Sequence, residues 1–367
     1  MAVSGLLSVL VLGAAALFSN GLAPLSDVTA PPAIGTLSAT DCGTCHARIY
    51  EQWASSRHRH SFTNSVFRAS YHRSPEPWCV YCHAPLPEQA AAILGTQRPS
   101  IETSLVGEGV NCAVCHVRGG EILSVRAPTL AGTAAHPMRH EPLLASAEFC
   151  GGCHQFNWPH DDAPLRYTTE PMQDTLSEWR NSISARSGKN CQQCHMPTGS
   201  HNFLGGHDAA LVRRTVNARV ARLPSGQIRV TLRATAAGHR VPTGDPFRRL
   251  CVELCQEPVC AQPTQRILFW RLFAKSGDRF VLDYDLAIPP PQNEQPAEQS
   301  ITVRGLPASV RFYRVLYQFA APGTESLLRR QDRQIELVHG AILENQRAEG
   351  APATPSSSSS SPSDKGM

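Results

Sequence analysis

No one sign of charge dominates this 367-residue sequence. Its formal net charge is only +4, so it lacks the basic field that a nucleic-acid partner requires. Long apolar runs are also missing after the first 18 residues, which excludes a body built from membrane spans. The single apolar run, Leu6 to Phe18, is interrupted only by Ser8 and Gly13 and is too short to span a bilayer comfortably. No Lys or Arg precedes it, so the positive n-region usual in export signals is absent. Residues 1–30 are therefore expected to be a signal peptide or a retained N-terminal anchor, and any membrane attachment is expected only through that segment.

Cysteine and histidine are plentiful, at 13 and 15. Their spacing separates a disulfide framework from metal chemistry. Five times the chain reads Cys-x-x-Cys-His, at Cys42/Cys45/His46, Cys79/Cys82/His83, Cys112/Cys115/His116, Cys150/Cys153/His154 and Cys191/Cys194/His195. Two thiols separated by two residues reach the two vinyl groups of one haem, and the following His then meets the iron from one face. Chance would supply roughly 0.02 copies from these residue frequencies. Zinc ribbons also use paired Cys-x-x-Cys, but need no His after each second Cys. Five covalently bound haem c groups are the expected cofactors. They fall within Asp41 to His195, so little polypeptide is left to insulate each one, and the macrocycles are expected to lie close enough to exchange electrons.

A coarse reading divides the chain into an Ala/Pro linker (31–40), a pentahaem segment (41–212), a strand-rich segment (213–348) and a Ser/Pro-rich tail (349–367). The tail has almost nothing to bury and is expected to be disordered. Helices are expected in Ala47–Phe67 and Met172–Ala185, between loops marked by Pro and Gly. Beyond residue 213, Thr215–Ala221, Gln227–Ala234, Leu250–Leu254, Ile267–Phe273 and Val310–Phe319 are rich in Val, Ile, Leu and Phe, and several alternate apolar with polar residues. That pattern marks half-buried strands. The expected fold is α+β: a haem-packed, mainly helical and loop-rich domain, then an antiparallel β-sandwich-like domain.

Ten His lie outside the motifs, enough to close all five irons from the second side. His58 and His60, two residues apart on a helix, would point in nearly opposite directions, so at most one serves a given iron. Cys251, Cys255 and Cys260 stand outside the motifs; the expectation is a bridge between Cys255 and Cys260, with Cys251 a buried free thiol. Arg240, Arg248 and Arg249 flank a Gly-His loop, where they either neutralise haem propionates or face solvent.

Several stretches carry a family resemblance. They are Trp53-Ala-Ser-Ser-Arg-His58, Glu108-Gly-Val-Asn-Cys-Ala-Val-Cys-His116, Met172 to Trp179 with Cys191-Gln-Gln-Cys-His-Met-Pro197 and Gly-Gly-His207, and Gly238-His-Arg-Val-Pro-Thr-Gly244. They resemble the cytochrome c-554 and hydroxylamine-oxidoreductase superfamily of multihaem cytochromes, in a subgroup with an appended strand-rich domain. The resemblance covers about Asp41 to Phe247. It implies haems in parallel and perpendicular stacked pairs and distal ligation by His58 and His136, with His201 or His207 and His239 as further candidates. No second His stands between His46 and Trp53, where some members supply a ligand, so one iron's sixth position has no assigned donor. The leading expectation is electron transfer in the periplasm or at the outer cell surface, between redox partners such as other cytochromes or quinol-linked enzymes. The alternative is an oxidoreductase acting on a small nitrogen or sulfur compound at one open iron. Lys189, Tyr50 and Tyr81 lie near motifs as possible proton donors, but no catalytic residue is assigned.

Overall fold

A computed structural model describes residues 25–344 except 26, 96–104, 128–135, 161–162, 294 and 296. The expected signal segment therefore lies almost wholly outside the described residues, and the expected disordered tail entirely so. Among the described residues no helix is long and apolar enough to cross a membrane.

The motif-bearing half is built from short helices. They are α1 (Ala39–Gly43), α2 (Ala47–Ala54), α3 (Ser65–Arg73), α4 (Pro77–His83), α5 (Pro87–Leu94), α6 (Cys112–His116), α7 (Ala147–His154), α8 (Thr175–Arg180), α9 (Ile183–Arg186), α10 (Cys191–His195) and α11 (Ala209–Thr215). Small residues with side-chain oxygens punctuate them. Asn64, Ser146, Ser182 and Asn190 each accept a backbone N–H from the first turn of the helix that follows, the preferred N-cap chemistry. These caps explain why the two long helices expected from sequence are broken. Ala47–Phe67 stops at Ala54 and restarts after Asn64, and Met172–Ala185 restarts after Ser182.

The same half holds more strand than its sequence advertises. β1 (Val117–Arg118), β2 (Glu121–Ser124) and β3 (Met138–His140) form a small mixed sheet, with β2 and β3 parallel. β4 (Gln155–His160) and β5 (Ala163–Asp174) form a hairpin whose register slips three times. Pro159, Pro164 and Pro171 lie in its strands and cannot donate to a ladder. Alternation is broken there, and Met172 to Asp174 belong to β5, not to a helix.

The strand-rich half follows the expected runs closely. β6 (Val216–Arg222), β7 (Ile228–Ala234), β8 (Arg249–Cys255), β9 (Gln265–Phe269), β10 (Arg271–Ser276), β11 (Arg279–Asp285), β12 (Ala297–Val303), β13 (Phe312–Gln318) and β14 (Gln334–Ala341) are joined by one further helix, α12 (Arg330–Arg333). One sheet runs β12-β7-β6 and another β14-β13-β8-β9, each antiparallel throughout. Ile228, Val230 and Leu232 of the first and Leu250, Val252, Leu254, Phe269 and Val315 of the second share one core. β7 alternates buried and partly exposed positions, as its sequence pattern requires. The run Ile267–Phe273 is cut at Trp270, so β9 joins the four-stranded sheet while β10 pairs with β11. Cys255 and Cys260 are bridged, and Cys251 is a buried free thiol. The α+β class expected from the sequence is the class observed.

Candidate haem centres

Each motif begins on a short helix and ends with its His at the helix's last turn or just past it. Asn111 caps α6 by accepting from the N–H groups of Ala113 and Val114, while its amide donates to Leu37 O and Glu108 Oε2. Asn190 and Gln193 cap α10 reciprocally. The chain thus fixes the start of the third and fifth motifs through the residue immediately before their first Cys.

The ten motif cysteines are not enclosed alike. Eight are half-buried, whereas Cys45 and Cys194, the second Cys of the first and fifth motifs, are exposed. Cys45 thus departs from the close packing expected of the pentahaem segment. It follows the last residue of α1 by two positions, outside the helix, and its Sγ meets only the neighbouring Thr44 hydroxyl, at 3.9 Å. Its motif partner Cys42 turns inward instead, toward Cys112. Exposure leaves the Cys45 thiol open to a haem vinyl group rather than excluding it from thioether formation.

The ring nitrogens of the motif histidines are not equivalent. Nδ1 of His83 donates to Ser61 O at 2.8 Å, Nδ1 of His116 to Leu123 O at 2.9 Å, and Nδ1 of His195 to Leu204 O. A carbonyl can only accept, so these bonds place the proton on Nδ1 and leave the Nε2 lone pair for a metal. His201 and His239 show the same arrangement, with Nδ1 donating to Gly199 O and Arg240 O at 3.0 and 2.8 Å. Burial holds the His58 and His83 imidazoles down to about 4 and that of His154 to about 3, so all three are neutral near pH 7, as ligation requires.

Four motif histidines each face a second imidazole brought from elsewhere in the chain. Ring centroids are 6.4 Å apart for His46 and His136, 6.5 Å for His154 and His58, 6.2 Å for His116 and His201, and 6.1 Å for His195 and His239. Two metal–nitrogen bonds of ~2 Å plus the reach of each ring to its own nitrogen (~1.1 Å) sum to about 6.2 Å. The spacing leaves room for one iron between the two imidazoles of each pair. His58 Nδ1 is buried and meets no protein partner, which suits a ring nitrogen turned toward a metal rather than a protein group. On these observations the residues fit covalently attached, axially ligated haem.

His83 differs. Among the described residues no second imidazole lies opposite it at this spacing. Its ring is stacked instead by Phe67, 3.9 Å away and nearly parallel. His207 is not paired with any motif His. It stacks on Phe319 at 3.9 Å, and Arg57 Nη2 lies 3.0 Å from its Nδ1 and 3.3 Å from its Nε2. Of the five distal candidates, His58, His136, His201 and His239 stand opposite motif histidines and His207 does not.

The motifs also touch one another. The Cys42 thiol lies beside that of Cys112 and the Cys150 thiol beside that of Cys191, and Cys82 Sγ reaches Cys153 O at 3.9 Å. The first motif thus abuts the third, the second abuts the fourth, and the fourth abuts the fifth.

Residues given no role from the sequence support the site. Glu178 is buried, and its Oε2 accepts from Thr243 Oγ1 at 2.6 Å and Arg240 N at 3.2 Å, gripping the loop that presents His239. The three flanking arginines part company. Arg240 reaches Asp285 (3.2 Å), Arg249 reaches Glu325 (3.1 Å), and Arg248 lies with Tyr317 against Gly206. Lys189, Tyr50 and Tyr81 do not gather at one centre. The Lys189 carbonyl accepts from Trp179, Tyr50 packs on Trp53 and Gly43, and Tyr81 lies with Phe156 and Trp158.

Residues 41–117 match the family described as cytochrome c554 and c-prime. No curated protein sequence matches the chain. The fold is similar to the crystal structure of a penta-heme cytochrome c552 from Thermochromatium tepidum, with a TM-score of 0.61 and 19% sequence identity over 83% of this chain and 99% of that one. Over residues 41–117 the chain thus matches the cytochrome c554 and c-prime family, and its fold is that of a multihaem c-type cytochrome.

Proposed function

We propose that the chain is an exported pentahaem electron carrier that passes electrons between redox protein partners in the periplasm or at the outer cell surface. The observation that carries this reading is the set of four facing imidazole pairs at 6.1–6.5 Å. Cys42/Cys45, Cys79/Cys82, Cys112/Cys115, Cys150/Cys153 and Cys191/Cys194 would each hold one haem, with His46, His83, His116, His154 and His195 as proximal ligands. His136, His201, His58 and His239 would close the first, third, fourth and fifth irons. When bound, haem supplies reversible one-electron chemistry at iron, and two imidazoles favour electron transfer over ligand chemistry.

The protein's own part is to fix each ring and tune its donor strength. The Nδ1–H bonds to backbone carbonyls lock the tautomer and raise the basicity of the other nitrogen. Contacts between neighbouring motifs keep the centres close, with the fourth motif touching both the second and the fifth. One observation favours a second activity at one centre, because among the described residues no imidazole faces His83 while the other four motif histidines each have one. There the reading is reduction or oxidation of a small nitrogen or sulfur compound.

The test is a pyridine haemochrome count with low-temperature EPR on the purified oxidised protein. Five haems per chain, with four low-spin and one high-spin iron, is the expected result. A count other than five, or fewer than four low-spin irons, refutes the assignment.

A further inference from the structure

Resting on the pentahaem reading, we infer that Glu178 takes up the proton that accompanies one-electron reduction of the fifth centre, delivered through the hydroxyls of Thr175 and Thr243. The starting observation is a buried carboxyl with one bare oxygen. Glu178 is only 4% exposed, and among the described residues its Oε1 has no hydrogen-bond partner. Its one close cation is shared. Arg240 Nε stands 3.9 Å from Oε1, while Arg240 Nη1 reaches Asp285 Oδ2 at 3.2 Å. A buried carboxylate short of donors is costly as an anion, and burial accordingly pushes this carboxyl up.

The backbone of Arg240 joins this carboxyl to the fifth centre. Its N–H donates to Glu178 Oε2 at 3.2 Å, and its carbonyl accepts from His239 Nδ1 at 2.8 Å. His239 in turn faces His195 at 6.1 Å. The same loop lies against α8, since a Cβ on Gly238 would stand 3.4 Å from Trp179 Cδ1. Glu178 is thus a positioning residue that acts through Arg240. The route inward is a pair of hydroxyls. Thr243 Oγ1 donates to Glu178 Oε2 at 2.6 Å, which leaves its lone pairs to accept from Thr175 Oγ1 at 2.8 Å. Both donations run toward the carboxyl, and Thr175, the first residue of α8, is half-buried.

The charged groups around Glu178 oppose one another. Arg271 and Arg240 favour its ionised form, Asp174 disfavours it, and Asp285 holds Arg240 from the far side. Arg271 is itself spent on Pro171 O at 3.2 Å and on the Phe273 ring. One added electron removes one positive charge from the neighbouring centre, and that loss favours the neutral carboxyl. The carboxylate of Glu178 takes one proton from solvent as one electron, supplied by a redox protein partner, converts the iron from ferric to ferrous. No other bond forms or breaks.

The experiment is a redox titration of the purified, haem-loaded protein, followed by EPR from about pH 5 to about pH 10. The fifth centre is the one whose low-spin signal disappears in His239→Ala. In wild type its potential should fall as pH rises, by up to ~59 mV for each tenfold drop in proton concentration, and Glu178→Gln should lose that slope. The infrared difference between reduced and oxidised wild type should show a protonated carboxyl gained on reduction, absent from Glu178→Gln. Thr175→Val leaves both bonds to Glu178 Oε2 in place, so it should keep the slope but slow proton uptake, read with a pH indicator after rapid reduction. A fifth-centre potential independent of pH in wild type, or a slope retained in Glu178→Gln, overturns the assignment and leaves the pentahaem reading standing. Unchanged uptake in Thr175→Val overturns the hydroxyl route. A haem count other than five sinks the reading beneath it. Should Glu178→Gln yield no loaded protein, the wild-type infrared spectrum decides the point: no protonated carboxyl gained on reduction overturns the proposal.

Discussion

Glu178 offers the sharpest test of how the strand-rich half completes a centre in the other half. Its buried carboxyl accepts from Arg240 N and Thr243 Oγ1, and these bonds hold the loop that sets His239 6.1 Å from His195. Truncation by Glu178→Ala strands two donors in a protected site, at about 1–3 kcal/mol each, for a loss of roughly 2–6 kcal/mol of stability. Glu178→Gln keeps a carbonyl oxygen for both donors and should cost under about 1 kcal/mol at neutral pH. The pH dependence separates the two further. Burial raises the carboxyl of Glu178 in the folded state, so folding favours its protonated form. Its contribution is then fully present below the unfolded carboxylate range and is lost as pH rises through the raised folded value. The stability advantage of wild type over Glu178→Gln should shrink over that interval. Denaturant titration followed at the Soret band reads stability, and EPR reads the spin state. In Glu178→Ala the His195 centre should be the one that turns partly high-spin. Equal stability of the Ala and Gln variants, or a spin change at another centre, would refute the reasoning.

Other substitutions test separate contacts. His201→Ala and His58→Ala should each convert about one fifth of the iron to high-spin, at the third and fourth centres respectively, as counted by EPR. Gly109→Ala should destabilise by about 2 kcal/mol or more in thermal unfolding, because Gly109 sits at φ +58° and a Cβ would stand 2.8 Å from His58 O and 2.9 Å from Arg59 O. Phe269→Ala removes a fully buried ring from between the two sheets and should cost about 3–5 kcal/mol in denaturant unfolding. Breaking the Cys255–Cys260 bridge with Cys255→Ser should cost only about 2 kcal/mol by the same measurement, since the loop it closes is short.

The proximal half of each proposed centre is a local pattern, readable without any tertiary contact. Cys-x-x-Cys-His needs no tertiary contact to be recognised, whereas an opposing imidazole arrives from a distant segment and its partner is set by the fold. Spacing therefore left the partner of each iron open, and the family resemblance alone singled out His58 and His136. His201 and His207 could not be separated from sequence, since both follow the fifth motif. The structure sets one against His116 and locks the other between Phe319 and Arg57. Strands beyond residue 213 were legible because a half-buried sheet face writes its period into the chain. The β4–β5 hairpin was not, because three prolines and three register shifts erase that period. Glu178 lies in a stretch that carries the family resemblance, but its role shows only in its burial and its hydrogen bonds to Thr243 and Arg240.

That hairpin joins the two halves in a way that bears on modularity. β4 begins directly after His154, and its Trp158 lies 5.3 Å from the ring of Phe273 and 4.4 Å from that of Phe280, on β10 and β11. Arg271 returns the contact by donating to Pro171 O. A cut near residue 212, where the composition changes, would bare these aromatic rings and take His239 away from His195. The strand-rich half is thus not a detachable accessory. Chimeras that exchange it between related chains must carry the hairpin along with it.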